Sequence, residues 1–267
     1  MSDSVQAFQV STEAAEIYEE KFVPALFGEW AEHVIAAADV RPGEAVIDVA
    51  CGTGIVARAA ADRVGETGRV VGLDLNEGML AVARRIRPDI EWHHGDVGDL
   101  PFPTASFDTA LCQAALMYFP DRVKALREMA RVVKSDGVVV AQVWGPLDAQ
   151  VAYRRFADIA ARHAGPQAPE VVGSYFSLGD LDLVEDLFAQ AGLAVSGTVT
   201  RTGAVRFASI DEFVAAEIEG SPLIDQIDDE AYERIRSECR EELGGYSAEG
   251  GKTEIPIEGH IITGRVK

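Results

Sequence analysis

The stretch that decides the fold is Val46-Ile47-Asp48-Val49-Ala50-Cys51-Gly52-Thr53-Gly54. Its first four residues have strand character, its glycines favour a tight turn, and residues 55–62 that follow favour a helix. A buried strand that runs through Gly-x-Gly into a helix presents free backbone N–H groups to a ligand, and the glycines let that ligand approach closely. The stretch therefore predicts a ligand-binding turn at the end of a central strand.

A second strand supports this interpretation. Twenty residues after Gly54, the apolar run 69–73 ends in Asp74. An acidic residue at the tip of the second strand is where a ribose diol is held in nucleotide-binding folds. The two pieces predict a nucleoside-binding α/β domain. The run 52–57 also fits Gly-x-Gly-x-x-Ala, so a nicotinamide cofactor stays open at this point.

The composition of the chain limits the classes of partner that it can bind. The 267 residues carry a formal net charge of −20, which argues against a nucleic-acid partner. The three cysteines (51, 112 and 239) are too few for a disulfide framework or a zinc site, so we expect no metal. Residues 1–6 show no basic segment before an apolar one, and no apolar run reaches the ~18 residues of a membrane span. These features predict a cytoplasmic protein.

Strands and helices alternate through the first half of the chain. Strands are predicted at 45–49, 69–73, 90–93, 107–112 and 137–143, with residues 134–137 as the turn before the last; helices are predicted at 55–63, 77–86 and 121–133. Such alternation implies parallel strands joined by right-handed crossovers, with helices on both faces.

The pattern changes after Trp144. Helices are predicted at 149–163, 180–191, 211–219 and 228–243, strands at 193–207 and 254–266, and a loop at 165–172. We predict one domain, 1–267. It comprises a helical cap (1–40, with Ser11 or Thr12 capping helices over 11–38), a core (41–145) and a C-terminal part (146–267) with a helical insertion at about 209–245.

Four motifs in order carry a resemblance to a known family. They are Val46–Gly54, Gly72–Leu80, Gly95–Phe102 followed by Ser106-Phe107-Asp108, and Leu126–Lys134 with Asp136-Gly137. In these residues the chain resembles the class I S-adenosylmethionine-dependent methyltransferases, in particular the small-molecule group of type 11 that includes quinone-biosynthesis methyltransferases. The resemblance is strong over residues 40–145. It implies a doubly wound, Rossmann-like α/β fold with a seven-stranded, mostly parallel sheet whose last strand is antiparallel.

The resemblance also implies roles for individual residues. The cofactor would be S-adenosylmethionine, leaving as S-adenosylhomocysteine, and its amino-acid part would be held by Asp48 and the turn around Ala50, Gly52, Thr53 and Gly54. Asp74 would bind both ribose hydroxyls, Leu75 and Met79 would sandwich the adenine, and Asp96 and the Val97 N–H would bind the adenine edge. Gln113 would lie near the methionyl group.

For Asp48, Asp74 and Tyr18 the sequence also allows a purely structural role. Asp48 could instead be a buried acid that caps the glycine turn, and Asp74 a plain strand-end residue. Tyr18, with Phe22, belongs to a stripe at helical spacing that either packs on the domain or forms part of a lid over the cofactor.

Methyl transfer is an in-line displacement that needs alignment, and it needs a base only where the acceptor must lose a proton. The weak candidates for a base are His260 on the last strand and Tyr175 in a Ser/Gly loop. Residues 112–117 lack the Asn/Asp-Pro-Pro-aromatic signature of amino-group methylation, which together with the acidic surface argues against a nucleic-acid acceptor. The apolar residues of the variable regions suggest a small, apolar acceptor instead: Phe176, Leu178, Leu223 and Ile224.

Two other functions stay open from the sequence: an NAD(P)-dependent oxidoreductase and a non-catalytic nucleoside-binding protein. The sequence leaves the oligomeric state open between a monomer and a homodimer.

Overall fold

The computed structural model describes residues 10–221, 223–224, 227–248 and 250–267. The prediction that residues 1–6 carry no secretory segment lies outside the described residues. So do the first nine residues of the predicted cap and residues 222, 225 and 226 of the predicted insertion.

The elements alternate as the sequence predicts through the first half of the chain. The helices are α1 Thr12–Ile17, a π-helix Tyr18–Phe27, α2 Gly28–Ala38, α3 Ile55–Val64, α4 Glu77–Ile86, α5 Arg122–Val132, α6 Val151–Ala164, α7 Ala168–Tyr175, α8 Leu181–Gln190, α9 Ile210–Glu219 and α10 Asp229–Glu242. The strands are β1 Ala45–Val49, β2 Arg69–Asp74, β3 Glu91–His94, β4 Phe107–Gln113, β5 Val133–Trp144, β6 Ala194–Phe207 and β7 Thr253–Arg265. Short 3₁₀ turns lie at Leu116–Tyr118, Leu147–Ala149 and Gly244–Tyr246.

The seven strands form one sheet in the order β3-β2-β1-β4-β5-β7-β6. The pairs among β1 to β5 are all parallel. The backbone bonds from Gly145 N to Glu258 O and from Val266 N to Gly137 O place β7 antiparallel to β5. The predicted α/β fold with a seven-stranded, mostly parallel sheet is therefore confirmed. Because β2 and β4 flank β1 on opposite sides, the carboxyl end of β1 lies at the switch point where α/β sheets bind ligands.

Side chains at the helix starts explain where several helices begin. The hydroxyl of Ser11 accepts from Ala14 N at 3.2 Å and caps α1, and that of Ser209 accepts from Glu212 N at 3.2 Å and caps α9. Each bond satisfies an N–H that the first helical turn leaves unpaired. The cap at Ser11, one of the two candidates predicted for the first helix, is confirmed.

Two segments differ from the prediction. Residues 165–172 were predicted as a loop, but α7 begins at Ala168 with Pro169 in its first turn, where a proline needs no N–H partner. Tyr175, predicted in a loop, is the last residue of this helix. Residues 134–137, predicted as a turn, belong to β5, where Asp136 has a φ of 65° and the strand is irregular.

The chain divides into two compact units. The first comprises Met1–Val143, Leu181–Val199 and His260–Lys267, and the second comprises Trp144–Asp180 and Thr200–Gly259. Fully buried residues such as Trp30 and Phe107 form the core of the first unit. In the second unit Phe213 packs edge-on against Tyr153 and Phe156, with ring centroids 5.5 and 5.6 Å apart. The division of a single domain into 1–40, 41–145 and 146–267 stays a prediction.

Among the helices of the described residues, none is both long enough and apolar enough to cross a membrane.

Candidate functional site

The predicted glycine turn directly follows β1 and leads into α3. Ala50, Gly52 and Gly54 have positive φ angles of 55°, 55° and 90°. Gly54 caps α3, and its N–H donates to the carbonyl oxygen of Cys51 at 2.8 Å. Ala50 adopts the left-handed conformation despite its Cβ, at a cost of about 1–2 kcal/mol. The turn is therefore tight and locally strained, at the switch point of the sheet.

The indole of Trp92 occupies the space beside two glycines of this region. A Cβ at Gly54 would lie 2.3 Å from Cη2 of Trp92, and a Cβ at Gly72 would lie 2.3 Å from its Cζ3. Trp92 is the register partner of Gly72 in the β2–β3 pair, and its Nε1 donates to the carbonyl oxygen of Arg87 at 2.8 Å. The sequence analysis assigned the glycines to a tight turn and to ligand approach, and nothing in the sequence pointed to Trp92. Gly54 is also required by the packing of the chain itself.

Asp48 lies under the turn and is 1% exposed. Its Oδ2 accepts from Ala57 N at 2.9 Å, in the first turn of α3. Burial raises the pKa of the Asp48 carboxyl to about 8, although the Ala57 hydrogen bond acts in the opposite direction. This contact is the one expected of a buried acid that caps the glycine turn. A direct role of Asp48 in holding a ligand stays a prediction.

The carboxylate of Asp74 is anchored to the same turn. Its Oδ2 accepts from Gly52 N at 2.7 Å, and its Oδ1 accepts from Asn76 N at 2.7 Å. Burial raises the pKa of Asp74, and the hydrogen bonds from Asn76 and Gly52 limit that rise. Each carboxylate oxygen has further lone pairs, so the group can still accept hydrogen bonds from a ligand.

Tyr18, from the π-helix, lies over the glycine turn. Its Cε1 is 3.9 Å from where a Cβ of Gly52 would be, and its ring packs against Phe22 and Phe27, with centroids 5.9 and 5.3 Å away. Burial raises the pKa of Tyr18 far above its usual value, and the nearby Asp74 adds to this rise. The structure thus brings Tyr18 to the turn. Whether it forms part of a lid stays a prediction.

An ion pair ties the π-helix to the turn. Nη2 of Arg58 lies 2.8 Å from Oε1 of Glu19, and the two side chains are 14% and 22% exposed. Nη1 of Arg58 donates to the carbonyl oxygen of Thr53 at 2.7 Å. The hydroxyl oxygen of Thr53 is buried and has no hydrogen-bond partner within residues 10–221 and the other described ranges. Nothing in the sequence pointed to Glu19 or Arg58, because many helices carry such residues.

Gln113 lies at the carboxyl end of β4. Its Nε2 donates to the carbonyl oxygen of Phe27 at 3.0 Å, so it too contacts the π-helix. Its Oε1 is buried and unpaired among the residues that the structure describes. The side chain therefore has one free acceptor at the end of the strand next to β1.

The four residues predicted to bind adenine lie on the loops and helix after β2 and β3. Leu75, Met79 and Val97 are partly buried, whereas Asp96 is exposed and its Oδ1 accepts from Gly98 N at 2.7 Å. Because β2 and β3 are adjacent parallel strands, the two loops lie at the same edge of the sheet.

The two candidate bases lie in different units. His260, on β7 in the first unit, is 5% exposed. Tyr175, at the end of α7 in the second unit, shares a side-chain hydrogen bond with Ser221, and burial raises the pKa of its hydroxyl well above the usual value. The loop placement that suggested Tyr175 was wrong, and its raised pKa makes it a poor base near neutral pH.

One further acid group was missed by sequence reasoning. Burial raises the pKa of Glu217, on α9 in the second unit, to about 7, and a hydrogen bond with Tyr153 opposes that rise. Residues 211–242 carry twelve acidic side chains, so nothing in the sequence singled out Glu217.

Within the described ranges, no group of three or more His, Cys, Asp or Glu side chains could hold a metal ion.

Comparison with known proteins finds a family match within the first unit. A family model described as a methyltransferase domain matches residues 47–141, which run from β1 to β5. A demethylmenaquinone methyltransferase of Bacillus licheniformis is 40% identical over 114 residues, which is 42% of this chain and 49% of that protein. The chain thus spans about half the length of the curated relatives it matches.

Solved structures extend the likeness of fold over most of the chain. The YcgJ protein of Bacillus subtilis has a TM-score of 0.60 and 21% identity, covering 89% of this chain and 97% of its own. The cyclase SpnF has a TM-score of 0.53 and 16% identity, covering 89% of this chain and 52% of its own. At such identities the likeness shows the fold alone. Residues 47–141 match a methyltransferase domain, and this part of the chain is similar to the demethylmenaquinone methyltransferases.

Proposed function

We propose that the chain transfers the methyl group of S-adenosylmethionine to a small, apolar molecule by in-line displacement. The observation that carries this proposal is the Asp74 carboxylate, held between the glycine turn and Asn76 N at the end of β2. It lies inside the segment that matches the methyltransferase domain.

The residues of this region fit the chemical groups of the cofactor. A ribose diol would donate to the remaining lone pairs of Asp74 in charge-assisted hydrogen bonds. Thr53 Oγ1, a buried acceptor that is unpaired among the described residues, would receive a hydrogen bond from the amino-acid part, and Gln113 would lie near the methionyl group. Leu75 and Met79 would flank the adenine.

The remaining predicted contacts surround these. Asp96 and the Val97 N–H would bind the adenine edge, Asp48, Ala50, Gly52 and Gly54 would shape the turn, and Tyr18 would cover it.

The bound cofactor supplies a methyl group already activated by its sulfonium. The chain would supply alignment, which can contribute roughly 7–11 kcal/mol when two reacting groups are held in line. A base is needed only for an acceptor that must lose a proton, so the weakness of His260 and Tyr175 as bases does not count against the proposal.

Quinols are the first acceptor class to test, because the curated relatives carry the name demethylmenaquinone methyltransferase. The net charge of −20 favours a small acceptor over a nucleic acid. A cytoplasmic location stays a prediction from the sequence, and the choice between monomer and homodimer stays open.

The test is calorimetric titration with S-adenosylmethionine, S-adenosylhomocysteine and NAD. We expect binding of the first two in the micromolar range and none of NAD. Asp74→Asn removes the charge and leaves one acceptor oxygen for the two backbone N–H groups of Gly52 and Asn76, so affinity should fall by about 100-fold or more as the charge-assisted bonds are weakened. Asp62→Ala, at an exposed carboxylate on α3, is the matched control and should bind normally.

Binding of NAD alone would refute the proposal in favour of an oxidoreductase, which none of the family comparisons supports. Tight binding of S-adenosylhomocysteine with no turnover on any quinol would leave a nucleoside-binding role, as the cyclase neighbour shows that this fold does not fix the reaction.

A further inference from the structure

Gln142, on β5, has a buried side chain without a hydrogen bond. It is 0% exposed, and neither Oε1 nor Nε2 has a partner anywhere in the described part of the chain. Buried polar groups are almost always paired, so each exception needs a physical explanation. Because both ends of the amide are unpaired, this observation does not depend on which end is the oxygen.

Gln113 lies beside Gln142. The two are register partners in the parallel β4–β5 ladder, so their side chains project from the same face of the sheet. The bond to the Phe27 carbonyl fixes the amide of Gln113, because only its nitrogen can donate there. Its Oε1 is left buried and unpaired, as far as the described residues go. Two acceptor oxygens and one NH₂ donor thus share one place at the carboxyl ends of β4 and β5.

Another buried glutamine shows that this chain can satisfy such a side chain. Gln150, in the second unit, is 1% exposed, yet its Nε2 donates to Glu258 O at 3.0 Å and its Oε1 accepts from Glu258 N at 2.9 Å. Burial alone therefore does not account for the unpaired state of Gln142.

We propose that Gln142, together with Gln113, binds a hydroxyl group of the methyl acceptor and so determines which acceptors are used. A hydroxyl donates one hydrogen bond and accepts others, which matches an NH₂ donor beside carbonyl acceptors. Ligands of α/β sheets bind at the carboxyl ends of the strands, which is where this pair lies. The inference rests on the proposed function, because it assumes that the first unit binds a methyl acceptor.

The test compares 1-naphthol with 1-methoxynaphthalene, which has the same ring system but cannot donate a hydrogen bond. Calorimetry on the protein saturated with S-adenosylhomocysteine should give about tenfold tighter binding of 1-naphthol to the wild type, the equivalent of one net hydrogen bond. Gln142→Met replaces the amide by an apolar chain of similar length and should abolish the preference. Its affinity for S-adenosylhomocysteine should stay within twofold of wild type.

Stability separates this role from a structural one. Gln142→Met removes polar atoms that have no partner, so its urea midpoint should equal or exceed that of the wild type. Gln150→Met is the matched control, and its midpoint should fall, since Glu258 N loses its acceptor and Glu258 O loses one of its two donors.

Equal affinity of the wild type for the two naphthalenes would overturn the inference, as would a preference that persists in Gln142→Met. A lowered urea midpoint in Gln142→Met would show a structural role instead. Failure of the wild type to bind S-adenosylhomocysteine would refute the proposed function, and the inference with it.

Discussion

Replacing Gly72 by alanine tests whether the Trp92 ring is the reason that positions 54 and 72 must be glycine. The added Cβ would lie 2.3 and 2.4 Å from Cζ3 and Cε3 of Trp92 and 3.1 Å from the Cys51 sulfur. Carbon atoms in contact prefer a separation of about 3.5–4.0 Å, so the ring would have to move by more than ~1 Å. Its Nε1 is held by the Arg87 carbonyl, which limits that movement. We expect Gly72→Ala to lower the free energy of unfolding by about 1–3 kcal/mol.

A double-mutant cycle isolates the contribution of the ring. In a Trp92→Leu background the overlap between the new Cβ and the indole is gone, so Gly72→Ala should lower the free energy of unfolding by only about 0.5 kcal/mol, mainly through the contact with Cys51. The coupling energy between positions 72 and 92 should therefore be roughly 1–2 kcal/mol. Gly54→Ala differs, because its φ of 90° adds backbone strain of about 1 kcal/mol that Trp92→Leu cannot relieve.

Urea unfolding followed by far-ultraviolet circular dichroism measures all the variants, because this signal does not depend on tryptophan fluorescence. Each variant should retain the slope of the wild type against urea, so that midpoints can be compared directly. Equal costs of Gly72→Ala in the two backgrounds would show that Trp92 does not restrict this position, and the argument from packing would be wrong.

Three further predictions concern ionisable groups. Burial raises the pKa of Glu217 from 4.5 to about 7, so the folded state binds the proton more tightly and the free energy of unfolding falls as pH rises between those values. In urea titrations, the free energy of unfolding of Glu217→Gln should therefore rise by about 3 kcal/mol relative to that of the wild type between pH 4 and pH 8. A difference that stays constant with pH would contradict this. The carboxyl carbon of Asp48 should titrate near pH 8 in NMR of the ligand-free protein, and a midpoint below 5 would refute its buried placement. Glu19→Gln weakens the ion pair with Arg58, so amide hydrogen exchange over residues 18–27 should accelerate about tenfold. This rate corresponds to a loss of about 1.4 kcal/mol in the local free energy of opening. Unchanged exchange would show that the ion pair does not stabilise the π-helix.

The sheet and the position of the site could be predicted because they depend on local patterns. Strand β1, the glycine turn and Asp74 are close in sequence, and their spacing reflects one crossover unit. The caps by Ser11 and Ser209 are local in the same sense, since a hydroxyl and the N–H three residues later suffice.

The errors and omissions involve contacts that sequence distance conceals. Helix α7 lies largely within a segment predicted as a loop, and its Pro169 is acceptable because it stands in the first helical turn. The fit of Trp92 against Gly54 joins residues 38 positions apart, and no pattern in a single sequence encodes it. The raised pKa of Glu217 arises from burial, which an acidic helix gives no reason to expect.

Four residues of the first unit that have buried, unpaired polar atoms lie where the sheet is expected to bind ligands. Thr53 lies in the turn after β1, Gln113 ends β4, Gln142 lies near the end of β5, and Glu19 joins the π-helix to the turn; each has at least one buried atom unpaired among the described residues. Apolar side chains of similar size would remove this cost, since a buried polar atom without a partner destabilises a fold by about 1–3 kcal/mol. A stability maximum would not leave these groups together at one edge. Their placement is what a binding site requires, because donors and acceptors kept free in the folded chain can pair with a ligand at no cost of breaking internal bonds.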